Sequence, residues 1–258
     1  QLNRYIPLIM LVFIPAITMS IWAEERRQGT DELLLTIPAG DFDIVLGKYL
    51  TALAIFSVSL VFSLVCNYAV LRILGNPDVG LFLGTYIGYW LVGVAMLAVG
   101  MVASFLTSNL TVGFVLGTLF NAPFVAAMWA DAFLAPAVAR TVKQWSIGEQ
   151  LADFGRGIIS VSGIAYFATI FVGMLYLSMV LIGGRHWARG RDWIGMAVHY
   201  AVRTAALLVL AMTVTVFFHR FDLRADVTEE QLGSLSPRTV ELLDNLDLER
   251  PVRVDAFV

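Results

Sequence analysis

An apolar run without a single charged side chain, residues 79–130, limits what this chain can fold into more than any other feature. As one helix, rising 1.5 Å per residue, the run would be roughly 78 Å long, whereas the hydrocarbon core of a bilayer is about 30 Å thick. It must therefore break, and the polar patch Thr107-Ser108-Asn109 is the expected position of the break. This predicts membrane spans at 81–104 and 110–130.

The composition of the whole chain also indicates a membrane protein. Hydrophobic residues make up 59% of the 258 residues and charged residues only 14%, whereas soluble domains carry roughly 25% charged residues. A soluble fold of this size has too little interior to hide so much apolar surface. These values exclude a soluble globular enzyme, a disordered chain and a disulfide scaffold. The net charge of -3 gives no indication of a nucleic-acid partner.

Further apolar runs of spanning length lie at 5–22, 49–71, 158–182 and 196–218. The last run is interrupted by His199 and Arg203, both near its start, where a long side chain reaches the membrane interface. We therefore predict an all-α polytopic membrane protein with six membrane helices in this chain. The beginning of an α/β extracytoplasmic domain is predicted to follow them.

Six spans place the segments 24–48 and 185–195 on the same side of the membrane. Together with Arg203 these segments hold seven basic residues, against five on the other side before the tail. Because basic residues favour the cytoplasmic side, we predict that 24–48 is cytoplasmic and that the tail is extracytoplasmic. Residues 131–157, on the side of the tail, are expected to form either a short interfacial helix or a plain surface loop.

The composition changes sharply after Phe218, since residues 219–258 hold nine acidic and five basic side chains. Ser236-Pro237 is typical of a helix start, and the alternating stretch Pro251–Val258 is typical of a strand. A helix followed by a strand indicates the opening of an α/β domain. The tail is too short to complete such a domain, and residue 1 is Gln, so we expect a fragment cut at both ends.

The sequence contains no recognisable catalytic constellation. Gly47-Lys48 lacks both the partner glycine and the following Ser or Thr of a phosphate-binding loop. His186, His199 and His219 do not have the spacing of metal ligands, and a lone cysteine makes no metal site. We therefore predict no catalytic residue, no metal site and no cofactor in this chain. Energy coupling must then come from a partner or an ion gradient.

The segment 24–48 is the most informative connection between two spans. Four charges, from Glu24 to Arg27, are expected to end the first span, and Gly29 permits a bend. Thr30 can cap a short helix with a Leu-rich apolar face, and Asp41 is a candidate cap for the next helix. Such an amphipathic helix is suited to docking a soluble partner and equally to resting on lipid.

One string in this segment has a specific family resemblance. It consists of Ala23, Glu24, Glu25, Arg26, Arg27, Gln28, Gly29 and Thr30, followed by Glu32, Leu34, Leu35 and Pro38. The string resembles the loop of type-2 ABC exporter permeases, in which an EERxxGTxExLLxxP stretch follows the second membrane helix. By this resemblance the coupling residues are Glu24, Glu25, Arg26, Arg27, Gly29, Thr30, Glu32, Leu34, Leu35 and Pro38.

The resemblance also implies partners and a location. The coupling loop would contact a separate cytoplasmic ABC ATPase, which holds the ATP and Mg. The chain's other partners would be a second permease copy or homologous half and membrane lipid. Its location would be the inner (plasma) membrane of a bacterium. The first helix of the family would be missing from this chain.

The end of the chain resembles a different component. The matching stretches are Arg220-Phe221-Asp222-Leu223, Ser234-Leu235-Ser236-Pro237, Leu242-Leu243 and Val252-Arg253-Val254. They are similar to the start of the auxiliary subunit of gliding-motility-type ABC transporters, which has one membrane helix before a large extracytoplasmic domain. The resemblance implies a fusion. Its parts would be a permease domain (1–184), a cytoplasmic linker (185–195), an auxiliary-type membrane helix (196–218) and a truncated auxiliary domain (219–258).

Two series of glycines spaced four residues apart lie in the apolar runs. They are Gly80, Gly84 and Gly88 in the first series and Gly113 and Gly117 in the second. This spacing lets membrane helices approach closely, although glycine is also simply common in such helices.

Taken together, these features predict the permease subunit of an ATP-driven ABC transporter, either an exporter or a gliding-motility-type system. The subunit itself is predicted not to be an enzyme. The alternative from a different class is a non-transporting membrane scaffold that anchors an extracytoplasmic domain. An integral membrane enzyme is disfavoured because the spans lack a polar cluster.

Overall fold

The structure is a computed structural model of the chain. It describes residues 5–31, 40–183 and 224–228, together with part of the positions between 202 and 218. The membrane part begins with α1 (Ile6–Thr18), α2 (Ser20–Gln28), α3 (Asp41–Leu74), α4 (Val79–Phe105) and α5 (Leu110–Ala126). A 3-10 helix (Ala127–Ala132), α6 (Pro136–Gln144), α7 (Ile147–Phe154), β1 (Ile158–Ser160), α8 (Val161–Gly183) and β2 (Arg224–Asp226) follow.

Within the part of the chain that the structure describes, five helical segments are long and apolar enough to cross a membrane. They are Ile6–Gln28, Asp41–Leu74, Val79–Phe105, Leu110–Ala132 and Val161–Gly183. Large apolar side chains are exposed on their outer surfaces, among them Val58 and Phe62 on α3. Such surfaces are stable against lipid and unfavourable in water. The chain is therefore a multi-pass membrane protein; most of the sixth predicted span, 196–218, lies outside the described residues.

Helix α4 is the centre of the bundle. Of its most apolar stretch, 83% is buried, whereas the corresponding shares of the other four candidate spans are 17–39%. Small residues along α4 let its neighbours approach: a Cβ on Gly93 would overlap the Phe56 ring of α3, and one on Gly100 would overlap Thr18 of α1. Since α4 contacts α1, α2, α3, α5, α7 and α8, a displacement of α4 affects most of the bundle.

The long uncharged run divides into two helices where its polar patch stands. α4 ends at Phe105 and α5 begins at Leu110. The Asn109 side chain accepts hydrogen bonds from the backbone N–H groups of Thr111 (2.9 Å) and Val112 (3.3 Å). An asparagine in this position satisfies amides that have no partner within the new helix. The length argument and the polar patch therefore locate this turn correctly.

The first helix continues beyond the predicted end of the first membrane span. α2 includes the four charged residues from Glu24 to Arg27 and ends at Gln28, and Gly29 follows with a left-handed φ of 70°. Glu24 accepts hydrogen bonds from Arg27 (2.6 Å) and Gln28 (2.5 Å), one turn further along. Long charged side chains are good helix formers when they pair in this way, so the charges extend the helix and the glycine ends it.

Helix α3 also begins earlier than predicted. Gly40 occupies the N-cap position and Asp41 is the first helical residue, so Asp41 is not the cap. Asp41 and Asp43 lie in the first turn, where carboxylates are favourable next to the positive end of the helix dipole. Residues 41–48 are consequently helical, and the connection between α2 and α3 is shorter than the predicted loop 24–48.

Residues 131–157 contain helices and do not form a plain loop. α7 begins with the Ser146 side chain accepting a hydrogen bond from the Glu149 backbone N–H (3.1 Å). Its apolar residues Ile147, Leu151 and Phe154 are buried, and α7 packs against α4. The amphipathic pattern of α7 thus attaches this segment to the start of the central helix.

A two-stranded antiparallel sheet joins the end of the described chain to the bundle. β1 pairs with β2 in the register Ile158↔Asp226, Ile159↔Ala225 and Ser160↔Arg224. The Val227 backbone N–H extends the ladder by donating to the Gly157 carbonyl (3.0 Å). The predicted helix and strand of the tail lie beyond residue 228, outside the described residues.

Candidate functional site

The charged end of α2 holds the first part of the predicted coupling segment. Glu24, Glu25, Arg26 and Arg27 lie on the last turns of the helix, and Gly29 and Thr30 follow directly. Glu32, Leu34, Leu35 and Pro38 fall outside the described residues, so their placement stays a prediction. The described part has two distinct sides, one turned to the bundle and one turned outward.

Ser104 of α4 connects the central helix to the start of α2. Its hydroxyl accepts hydrogen bonds from the backbone N–H groups of Trp22 (3.1 Å) and Ala23 (3.2 Å), and it donates to the Met19 carbonyl (3.0 Å). Ser104 is fully buried. Early amides of a helix lack partners within it, and here a side chain from another helix supplies the acceptor. This arrangement fixes the position of α2 relative to α4.

Arg26 makes a second connection between α2 and α4. Its guanidinium donates a hydrogen bond to the carbonyl of Phe105, the last residue of α4. The same group lies 5.5 Å from the centre of the Phe105 ring, and the Trp22 ring stands nearly perpendicular to that ring at 5.2 Å. A cation at the end of a helix is favourable because the last carbonyls carry partial negative charge.

Lys48 links α2 to α3. Its ammonium group forms an ion pair with Glu25, donates a hydrogen bond to the Ile21 carbonyl (3.1 Å), and lies 4.6 Å from the centre of the Trp22 ring. The Lys48 side chain is only 17% exposed and that of Glu25 30%. At this depth, removal of either partner leaves the other charge poorly solvated, so the pair depends on both residues.

The outward side of α2 presents a different pair. Arg27 and Glu24 form an ion pair of 2.6 Å, in which the Arg27 side chain is 59% exposed. Exposed pairs of this kind contribute little to stability. Both residues lie on the surface beside Gly29.

Gly29 and Thr30 end α2. The positive φ of Gly29 is a conformation that other residues adopt only with strain. The backbone N–H of Thr30 donates to the Glu25 carbonyl (3.0 Å), and its hydroxyl donates to the same atom (3.4 Å). Thr30 therefore bonds back to α2, in addition to any contact with the helix it was predicted to cap.

The predicted glycine series face partners that the sequence did not identify. A Cβ on Gly88 would lie 2.6 Å from the Phe154 Cβ of α7, and one on Gly80 would overlap the Val227 carbonyl. Gly84 is also close, with 3.3 Å to the Gly157 Cα. This series thus packs against α7 and the β1–β2 region, not against a neighbouring spanning helix.

The second series packs against the first helix. A Cβ on Gly113 would lie 3.2 Å from the Met19 carbonyl oxygen, and one on Gly117 would lie 3.2 Å from the Pro15 Cβ. Both distances are tighter than ordinary contacts, so α5 approaches α1 closely along this face.

Sequence reasoning missed Lys48 and Ser104 as members of the site. A lysine directly before a long apolar run is a usable signal, because such a charge needs a partner at the membrane interface. Ser104 carries no comparable signal, since a small polar residue inside a long apolar run is common. Its role depends on which backbone lies opposite.

The described part of the chain contains five candidate membrane helices. Short helices lie at one end of the bundle, and a charged helix terminus is bound to the other end. These features define a polytopic membrane component. Residues 2–146 match the family model described as ABC-2 family transporter protein. The match covers more than half of the chain, which therefore belongs to the ABC-2 transporter family. No curated protein and no solved structure matches it. The chain is the membrane permease of an ABC transporter, and a cytoplasmic ABC ATPase is its partner.

Proposed function

We propose that this permease belongs to an exporter or gliding-motility-type ABC transporter, and that α2 with the connection 29–40 transmits movements of the ATPase to the membrane helices. The observation that supports this proposal is that α2 has two different sides. Glu25 and Arg26 bind α3 and α4, whereas Glu24 and Arg27 lie outward. A coupling element needs both a docking side and a stiff connection to the spans.

The proposed transmission follows the observed contacts. A displacement of the connection 29–40 by the ATPase moves the end of α2. Ser104 and Phe105 pass this movement to α4, and Lys48 passes it to α3. For ATP to drive the cycle, it must bind one conformation of the complex better than the other. A second permease copy or homologous half then completes the transport pathway through the membrane.

The β1–β2 sheet supports the proposal of a sixth span. Five crossings leave Gly183 at the same end of the bundle as Gly29, whereas β1 lies at the opposite end, directly before α8. β2 pairs with β1. We therefore propose that the chain between 184 and 223 passes through the membrane once more, as an auxiliary-type helix at 196–218 would do.

The proposed orientation places α2 in the cytoplasm and β2 outside, in the inner membrane of a bacterium. Arg26, Arg27 and Lys48 gather at the α2 end, which the positive-inside rule favours as cytoplasmic. A tail fused to the permease would then continue as an extracytoplasmic auxiliary domain after residue 228.

The test uses the full chain co-expressed with its partner ABC ATPase. Glu32→Ala and Leu34→Ala should leave membrane insertion intact but weaken co-purification of the ATPase or uncouple ATP hydrolysis from transport. Truncating an interface anchor typically costs about 1–2 kcal/mol, so the affinity should fall about five- to thirtyfold. Asp131→Ala is the control, because its ion pair with Lys143 (2.7 Å) is exposed at the opposite end.

The rival function, a non-transporting scaffold, makes the opposite prediction. A scaffold that only anchors the tail needs no ATPase contact, so both variants would behave like the parent. Equal ATPase binding and equal transport in parent and variants would refute the coupling proposal.

A further inference from the structure

A cavity of about 750 Å³ lies between α1, α3 and α4, at the end of the bundle opposite the coupling site. Its lining includes Phe13 of α1, Phe56 and Ser63 of α3, and Tyr86 and Tyr89 of α4. The volume falls within the range of small-molecule sites, roughly 300–1,000 Å³. None of the coupling contacts described above involves these residues.

The cavity opens sideways between α1 and α3. Ile9 of α1 and Val70 of α3 both line it, and they are 58% and 54% exposed. Both belong to candidate membrane spans. The opening therefore faces the bilayer, and the molecules that reach it first are lipids.

A polar stripe runs along one wall of the mainly apolar cavity. Ser59, Ser63 and Asn67 are four residues apart on α3, and all three line the cavity. The Asn67 amide donates hydrogen bonds to the hydroxyl oxygens of Ser63 (3.2 Å) and Tyr86 (2.9 Å). Within the described part of the chain, no group donates to the Asn67 side-chain oxygen. The exposed side-chain oxygen of Asn67 lies about 10 Å along the axis of α3 from the end of this helix at Leu74. Such an acceptor favours a ligand that donates a hydrogen bond.

The charge of the lining restricts the head group of such a ligand. Among the described lining residues, Asp78 is the only carboxylate, and it accepts a hydrogen bond from the Leu81 backbone N–H (2.9 Å). The same described lining contains no lysine or arginine. Along this part of the wall, phosphate and carboxylate head groups would meet an acid and no counter-charge, which is unfavourable.

We propose that this cavity binds an acyl lipid with an uncharged, hydroxyl-bearing head group of the monoacylglycerol type. The chain lies along the apolar walls, and the hydroxyl donates to the Asn67 side-chain oxygen. This binding is independent of the ATPase, so it goes beyond the proposed coupling function and can be tested without it.

The test uses the purified full chain in nanodiscs that contain a diazirine-tagged monoacylglycerol. After irradiation, mass spectrometry should locate adducts on the lining segments of α1 and α3. Ser63→Phe fills the cavity and should abolish these adducts. Val58→Phe adds similar bulk to the same helix at an outward, non-lining position (Val58 is 70% exposed), and it should leave them unchanged.

Competition in the parent protein tests the polar contact and does not depend on a variant that folds. Unlabelled monoolein should compete better than methyl oleate by roughly fivefold, the value of one net hydrogen bond. Equal competition would overturn the assignment to Asn67. Equal adducts in the two phenylalanine variants would overturn the site. So would interchain disulfide formation by Asn67→Cys in a Cys66→Ser background, because the cavity would then be an interface between two copies.

Discussion

The hydroxyl of Ser104, one residue from the end of the central helix, accepts a hydrogen bond from the backbone N–H of Trp22 at 3.1 Å. The two residues are 82 positions apart in the chain. Through this contact, the helix that carries the proposed coupling charges is bound to the helix that contacts most of the bundle. A displacement of α2 would therefore be passed directly to α4 through this contact.

Replacing Ser104 with alanine should destabilise the protein. The amides of Trp22 and Ala23 would lose their acceptor in a buried place, which costs about 1–3 kcal/mol for such a group. The expected result is a lower melting temperature in detergent. Ser59→Ala is the matched control, since the Ser59 hydroxyl donates only to Ile55 of its own helix (2.9 Å), and it should melt like the parent.

The Lys48–Glu25 pair should show strong coupling in a double-mutant cycle. Lys48→Met removes the charge and leaves the Glu25 carboxylate in a half-buried place without its cation. The stability losses of the two single variants, Lys48→Met and Glu25→Met, should therefore add up to more than the loss of the double variant. The expected interaction energy is about 1–3 kcal/mol, measured by denaturant unfolding in micelles. Additive losses would show that the two side chains do not depend on each other.

A large side chain at Gly88 should separate α7 from α4. Gly88→Leu places new atoms against Phe154 and Leu151, and overpacking of this kind costs about 1–3 kcal/mol. The yield of folded protein in size-exclusion chromatography should fall. Gly173→Leu in α8 is the control, because a Cβ there meets nothing within 4 Å. The Gly84→Leu variant should lie between the two, while Leu83→Ala, at an exposed site, should be tolerated.

Labelling of single cysteines should establish the proposed orientation. In a Cys66→Ser background, Gln28→Cys at the exposed end of α2 should resist an impermeant thiol reagent in intact cells. Ala137→Cys in α6 and Glu230→Cys in the tail should react. The reverse pattern would place the α2 end outside and contradict the cytoplasmic coupling role.

A disulfide should report the pairing of β2 with β1. Ile159 and Ala225 lie directly opposite each other in the register. Opposed antiparallel residues have Cα atoms about 4.5–5.5 Å apart, within the range that a disulfide spans. Ile159→Cys with Ala225→Cys should cross-link under mild oxidation, as seen by a mobility shift. Ile159→Cys with Val202→Cys is the control; if both pairs formed equally, the sheet and the sixth crossing inferred from it would be wrong.

The position of the spans follows from the sequence because it depends on local quantities. The charge-free length requires residues 79–130 to break, since a helix has a fixed rise and a bilayer a fixed thickness, and the polar patch locates the break at Asn109. The coupling string was recognisable for a similar reason, as its charges and Gly29 are contiguous in the chain. The end of the helix itself is not given by the end of the span. Glu24 to Arg27 are expected to end the membrane span, and side-chain pairing along the helix lets α2 continue to Gln28.

Only the tertiary structure decided which surfaces meet. The spacing of Gly80, Gly84 and Gly88 indicates close approach, but it carries no information on whether α7, β2 or another span lies opposite. Ser104 acquires its role because the start of α2 lies beside it, and Lys48 because Trp22 and Glu25 surround its ammonium group. A hydrogen bond or a buried ion pair needs atoms within about 3 Å. Residues far apart in sequence meet that condition only after the chain has packed around α4.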